Sequence, residues 1–408
     1  MVAALSPAGG AVCYNWYTAI RSVRYTLERR ATMENALVIA NTRFAFKLFA
    51  QLVRQEGEKN IFISPTSIAL ALALICNGAD GETRQAIIDA LELAGQPLDV
   101  LNQVYTLLRR SLERRDPQIH LIIANALWAR QGVTFQGEFL RCNQDHYGAE
   151  LAELDFESPD AAAIINSWVS AKTNGKIPTI IDQSALIGAV MVLLNAIYFK
   201  GAWSFRFDES HTEERDFTLP GGRRKRHPMM SQEGHLHYYR GEGFQAVKLP
   251  FGDRQTSRMS MDIFLPDEES SLGGFYLRLN AANWDLWRRQ FYRTLGTIVL
   301  PRFKLEYQTE LNDALSALGM EIIFHEAADF SRMCALPVAI ETVIHKAAVE
   351  VNEEGAEAAA ATAVVPAVIG IFDEAEPFSM IVDRPFFFVI RDNHNDTPLF
   401  MGSVAEPM

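Results

Sequence analysis

A chain of 408 residues with 49% hydrophobic content has the material for a sizeable core, and its net charge of −12 excludes general nucleic-acid binding, which needs a positive surface. The four cysteines, Cys13, Cys76, Cys142 and Cys334, are scattered without a C-x-x-C pair or metal-ligand spacing, which predicts free thiols and no metal centre. No continuous apolar run reaches the roughly 18 residues that span a bilayer, so no membrane partner is expected.

Residues 1–32 carry Arg21, Arg24, Arg29 and Arg30 against Glu28, with no apolar stretch followed by a small-residue cleavage site. They read as an N-terminal extension, either an unstructured tail or a stretch ahead of a start at Met33, before one domain over 33–408. Cytoplasmic placement is expected over secretion. Helical periodicity begins near Ala36, with Ala40, Phe44, Leu48 and Leu52 on one stripe. Asn60–Ile63 reads as a short strand. Ser64 is a natural N-cap with Pro65 in the first turn of a buried helix that Gly78 stops. Asp80–Thr83 turns the chain, 84–115 reads as helices and Leu121–Trp128 as a strand. Another helix covers Ala161–Thr173 and ends at Asn174-Gly175. Leu186–Leu194 reads as a short helix or loop running into a buried central strand. Strands with turn-rich joints follow from Val192 to Val299, then a helix over Asp313–Leu318 and a mostly stranded C-terminus. Helices first and strands later make an α+β domain, without internal repeats.

The run Glu353-Glu354-Gly355-Ala356-Glu357-Ala358-Ala359-Ala360-Ala361-Thr362 holds nothing bulky and nothing cationic. Two readings fit it. Alanine is the best helix former and Glu suits a first turn, which describes an exposed helix. Gly355 interrupts that pattern, however, and Ile344–Val351 upstream alternates like a strand. The second reading is a segment able to slot between existing strands, which demands small inward side chains because interiors have no spare volume. With Ala356 inward, so are Ala358, Ala360, Thr362 and Val364. Pro366 is the awkward residue for a central strand.

Gly355–Thr362 resembles the hinge of the inhibitory serpins, with Ala356 where that family usually has Thr or Ser. The resemblance extends from about Ala36 to Val404 through ordered landmarks: Asn60–Ser67, Asn125–Trp128, Asn166–Ile177, Leu194–Trp203, Leu300–Phe303, Ala328–Ser331, His345–Ala347 and Asp383–Phe386. It implies a single α+β domain of three β-sheets and about nine helices. It also implies an exposed reactive loop over about 353–382, in a suicide-substrate inhibitor rather than an enzyme. A prokaryotic member, monomeric and without cofactors, is expected.

Counted as in the family, the scissile bond is Ile369-Gly370, with Ile371-Phe372 as second choice. An apolar residue before the cut favours elastase-, chymotrypsin- or subtilisin-like serine proteases as covalent partners, with cysteine proteases as a further class. Trypsin-like enzymes are excluded in every frame, since no cation occurs from Gly355 to Asp383. Ser64, Ser67, Asn195 and His345 fall at the family's shutter, a latch under the central strands. Trp203, Arg302 and Glu353 fall at its breach, where the loop enters, and an Arg302–Glu353 salt bridge is expected. A non-inhibitory carrier, chaperone or storage protein of the same fold is the alternative.

Other signals are weaker. His235-Leu236-His237 places two imidazoles on one strand face with no third ligand. Arg223-Arg224-Lys225-Arg226-His227 reads as a solvated hairpin. Arg109, Arg110, Arg114 and Arg115 are a candidate polyanion patch, opposed by the net charge.

Overall fold

A computed structural model describes residues 9–112, 117–355 and 376–408, with side chains from residue 33 onward. In chain order the first half holds α1 (Gly9–Glu56), β1 (Ile61–Ile63), α2 (Pro65–Cys76), α3 (Gly81–Ala90), α4 (Leu98–Leu112), β2 (Ile119–Arg130), α5 (Gly137–Tyr147), β3 (Glu150–Leu154), α6 (Ala161–Lys172) and β4 (Met191–Gly201). The second half holds β5 (Glu213–Thr218), β6 (Arg224–Gly241), β7 (Phe244–Phe251), β8 (Met259–Pro266), α7 (Leu272–Tyr276), α8 (Ala281–Trp287), β9 (Tyr292–Pro301), β10 (Phe303–Glu310), α9 (Asn312–Leu315), β11 (Thr342–Val351), β12 (Phe378–Ile381), β13 (Phe386–Asp392) and β14 (Pro398–Val404). This is an α+β fold with nine α-helices among the described residues.

Local chemistry sets several boundaries. Ser64 sits in the β region and its Oγ accepts from the Ser67 amide at 3.3 Å, while Pro65 supplies a preset φ, so α2 starts there. The expected helix over Asp313–Leu318 is shorter: α9 stops at Leu315 and gives way to a wider turn over Ser316–Met320. Gly319, at φ +96°, breaks the helical path. The backbone of α1 is already helical from Gly9, well upstream of the expected start near Ala36. Within α1, Met33–Glu56 is long and apolar enough to cross a membrane by length and composition. The search for continuous apolar runs missed it, because Asn41, Thr42, Arg43 and Lys47 interrupt the stretch. Its Phe44, Leu48, Phe49 and Leu52 are buried in the protein core.

Two hydrogen-bonded sheets are present among the described residues where three were expected. The smaller runs β10-β11-β4-β2-β3, and the larger follows the path β1-β14-β13-β8-β7-β6-β9-β12, with β5 added at β6. The eighteen-residue β6 makes the difference. Its first part pairs with β5, its middle with β9 and its end with β7, which joins two sheets into one ladder. In the smaller sheet β11 and β4 are parallel neighbours, in register from Thr342↔Val192 to Val349↔Phe199. α6 lies over one face, burying Ala161, Ile165 and Val169 against a cluster that includes Leu194, Ala196 and Ile344. α2 lies beneath the other face.

Cys76, Cys142 and Cys334 are free thiols, and burial pushes Cys76 up to about 12, which makes it inert at neutral pH. Among the described residues one ion pair is wholly buried. Arg391 of β13 donates through Nε to Asp262 of β8 at 2.6 Å and also binds Asp396 in the turn before β14. Removing one partner of such a pair strands a charge in the interior. Arg391→Met is expected to cost about 3–5 kcal/mol in urea unfolding. The double variant Asp262→Leu/Arg391→Met is expected to recover most of that loss.

Candidate functional site

Two strands that touch directly, β11 and β4, define the site. At one end, β11 runs into a tight turn over Asn352–Gly355, where Asn352 and Gly355 exchange backbone hydrogen bonds of 2.9 and 3.2 Å. Gly355 also forms an antiparallel bridge to Ala202, just beyond the end of β4. This one residue thus pairs, antiparallel to both, with the residues just beyond the ends of β11 and β4. Its φ is +130°, and a Cβ there would lie 2.2 Å from the Gly201 carbonyl oxygen. Only glycine fits.

The turn is pinned from three sides. Trp203 donates through its indole Nε1 to the Asn352 carbonyl at 2.9 Å and through its amide to the Glu354 carbonyl at 3.0 Å. Its ring stacks on Phe251 with centroids 4.4 Å apart. The Phe207 amide donates to the Glu353 carbonyl at 3.0 Å. The Glu353 carboxylate, only 3% exposed, accepts from Arg302 Nε at 2.7 Å and Nη2 at 2.6 Å, and from the Thr212 hydroxyl. Burial pushes this carboxyl up, but the hydrogen bonds from Arg302 and Thr212 outweigh it and hold the group below the usual range. Arg302 is 43% exposed, so solvent screens part of the attraction. A cavity of about 310 Å³ opens beside the turn, lined by Arg302, Phe303, Asn352, Glu353 and Glu354.

Beneath β11 and β4 lies a buried polar cluster on the side that faces α2. His345 of β11 and Asn195 of β4 are register partners, and the His345 Nδ1–H donates to Asn195 Oδ1 at 2.6 Å. The Ser64 amide donates to His345 Nε2 at 3.2 Å, which fixes the neutral tautomer. Asn195 Nδ2 donates to Ser67 Oγ at 2.6 Å and to Asn125 Oδ1 at 2.5 Å, and Ser64 Oγ donates to the Leu399 carbonyl at 2.7 Å. His345, Asn195 and Ser67 are completely buried, in an interior where an unpaired polar group is costly. Burial lowers the His345 pKa to about 3.

All four residues expected at the latch therefore meet, and so do Trp203, Arg302 and Glu353 at the mouth. Sequence reasoning missed Asn125, Thr212 and Asn352. Asn125 left a signal, since it is the polar residue in an otherwise apolar strand interior, directly opposite Asn195. Thr212 and the Asn352 carbonyl left none. Glu354 and Gly355 lie in the turn. Ala356, Glu357, Ala358, Ala359, Ala360, Ala361, Thr362 and both bond candidates, Ile369-Gly370 and Ile371-Phe372, lie outside the described residues. His235 and His237 share an exposed face of β6 without further metal-type ligands among the described residues.

Residues 39–407 match the family model of the serpins, described as serine protease inhibitors. The pig leukocyte elastase inhibitor is 37% identical over 91% of this chain and 99% of its own length. An uncharacterized serpin-like protein of Thermococcus kodakarensis is 33% identical over 96% of this chain and 90% of its own. Among solved structures, the native state of the thermophilic serpin tengpin superposes with a TM-score of 0.81 at 31% identity, covering 90% of this chain and 94% of that one.

The buried imidazole makes the cluster acid-sensitive. Because the folded pKa lies below the unfolded value of 6.5, the unfolded chain binds the extra proton first. Stability is thus full above pH 6.5 and falls as the pH drops towards 3, by an amount on the order of 5 kcal/mol at the extreme. In denaturant titrations between pH 7 and 4.5, His345→Gln is expected to flatten this slope.

Proposed function

The chain belongs to the serpin family of serine protease inhibitors, which are not enzymes, and on that premise we propose that it traps its targets irreversibly. The targets are elastase-, chymotrypsin- or subtilisin-like serine proteases, with cysteine proteases as a further class. The observation that carries the reading is Gly355. It is bridged to the ends of both β11 and β4, at the head of a chain segment made of small residues. These bridges support a reading in which a new strand starts from Gly355.

The protease serine attacks the Ile369 carbonyl carbon, the bond to Gly370 nitrogen breaks, and the new amine leaves with a proton. An ester then joins the protease to Ile369. Insertion of the loop between β11 and β4 competes with hydrolysis of that ester. Fifteen residues from Gly355 to Ile369 reach roughly 50 Å at about 3.3 Å each, enough to carry the protease from one end of the sheet to the other. About fourteen new backbone hydrogen bonds at about 1 kcal/mol each give a gross gain on the order of 10 kcal/mol.

Within this reading, residues 33–408 act as one domain. Ser64, Ser67, Asn195 and His345 form the latch that holds β11 against β4. Trp203, Arg302 and Glu353 hold the hinge at the mouth. An apolar residue at the cut supports the target class, and the likeness to leukocyte elastase inhibitors supports it independently.

Mixing the protein with elastase, chymotrypsin or subtilisin should give a covalent adduct on a denaturing gel. Cleavage of the loop with full retention of protease activity would leave a non-inhibitory serpin. Ala358→Arg places a large charge on the inward face, and it is expected to convert the inhibitor into a substrate at an unchanged cleavage rate. Undiminished trapping by that variant would refute insertion.

A further inference from the structure

One row of side chains across the larger sheet plays no part in protease trapping. Register pairing sets Arg293 of β9 opposite His237 of β6, His237 opposite Lys248 of β7, and Lys248 opposite Asp262 of β8. Directly opposed residues project from the same face, so the four form a continuous stripe. Arg293 and His237 are exposed, Lys248 is half-buried and Asp262 is completely buried. The carboxylate that would neutralise the lysine is already engaged, because Asp262 accepts from Arg391 at 2.6 Å. The Lys248 ammonium has no hydrogen-bond or ion-pair partner among the described residues, and neither has the Arg293 guanidinium.

We propose that Lys248 is a covalent modification site, an amine nucleophile that captures anionic aldehydes as imines. Arg293, at the open end of the stripe, meets the anionic group, and the amine at the buried end meets the carbonyl carbon. The neutral amine adds to that carbon, a C=N bond replaces C=O, and both amine hydrogens depart with the oxygen as water. No oxidant or reductant enters the balance. Burial lowers the Lys248 pKa and the Arg391 guanidinium lowers it further, against partial opposition from Asp262 and Asp396. His237, though exposed at its edge, is lowered too, by partial desolvation of its ring first and then by Lys248 and Arg293, so it adds no competing positive charge at neutral pH. Lys346 is the internal contrast. Burial lowers its pKa as well, but its ammonium donates to the Thr179 carbonyl at 2.7 Å, and no neighbouring cation lowers it further.

Substoichiometric pyridoxal 5′-phosphate, borohydride reduction and peptide mass spectrometry test the assignment on the full chain. At pH 7 Lys248 is expected to label faster than Lys346 or the exposed Lys59, and label at this peptide should vanish in Lys248→Arg. Arg293→Gln, an exposed change that leaves the fold alone, should slow labelling at Lys248 about tenfold, and should do so much less for phosphate-free pyridoxal. Labelling that simply tracks exposure would overturn the proposal. An Arg293→Gln protein that reacts at Lys248 as fast as the unaltered chain would do the same.

Discussion

Direct parallel contact between β11 and β4 is the constraint on which the rest of this structure depends. Eight register pairs hold the two strands together with nothing between them. One of those pairs is His345↔Asn195, so the buried polar cluster belongs to the very contact that the proposed insertion would break. Any strand entering here exchanges that ladder for two new ones, a net gain of one. The exchange is favourable only once the polar cluster beneath has been disrupted and its groups have found other partners.

In the proposed mechanism the mouth and the latch divide the work. At the mouth, Trp203, Arg302 and Thr212 bind the hinge turn through carbonyls and one carboxylate, and the residues that would follow it make no demand on space. At the latch, neutrality of His345 is essential. A second proton would point an N–H at the Ser64 amide, which is itself a donor. α6, packed over the opposite face, adds an apolar cover that would have to yield in the proposed insertion.

Much of this was legible in the residues, for reasons specific to each. Ser64-Pro65 is a helix start by local chemistry, whereas Asn195 and His345 were placed by resemblance. Arg302 and Glu353 were paired by resemblance, not by spacing, since 51 positions separate them. The merging of sheets through β6 was not legible, because cross-strand pairing depends on register and no local pattern encodes it. The early end of α9 goes with the left-handed backbone of Gly319, which lies one residue beyond the helix expected over Asp313–Leu318. Thr212 and Asn352 contribute a hydroxyl and a backbone carbonyl, groups that carry no positional signature in a sequence. The role of Gly355 needed coordinates, because bridging two strands at once is a relation among three segments.

The placement of the last strands bears on what a cut would leave behind. β13 sits between β14 and β8 in the middle of the larger sheet, and β14 is in turn edged by β1. Phe378 of β12 lies against Gly296, where even a methyl group would collide with its ring, and stacks on Tyr238 at 4.2 Å. Scission in the loop therefore frees one end of a polypeptide without releasing either piece. The short C-terminal portion stays clamped as an interior plank of the nicked particle, two chains travelling as one body.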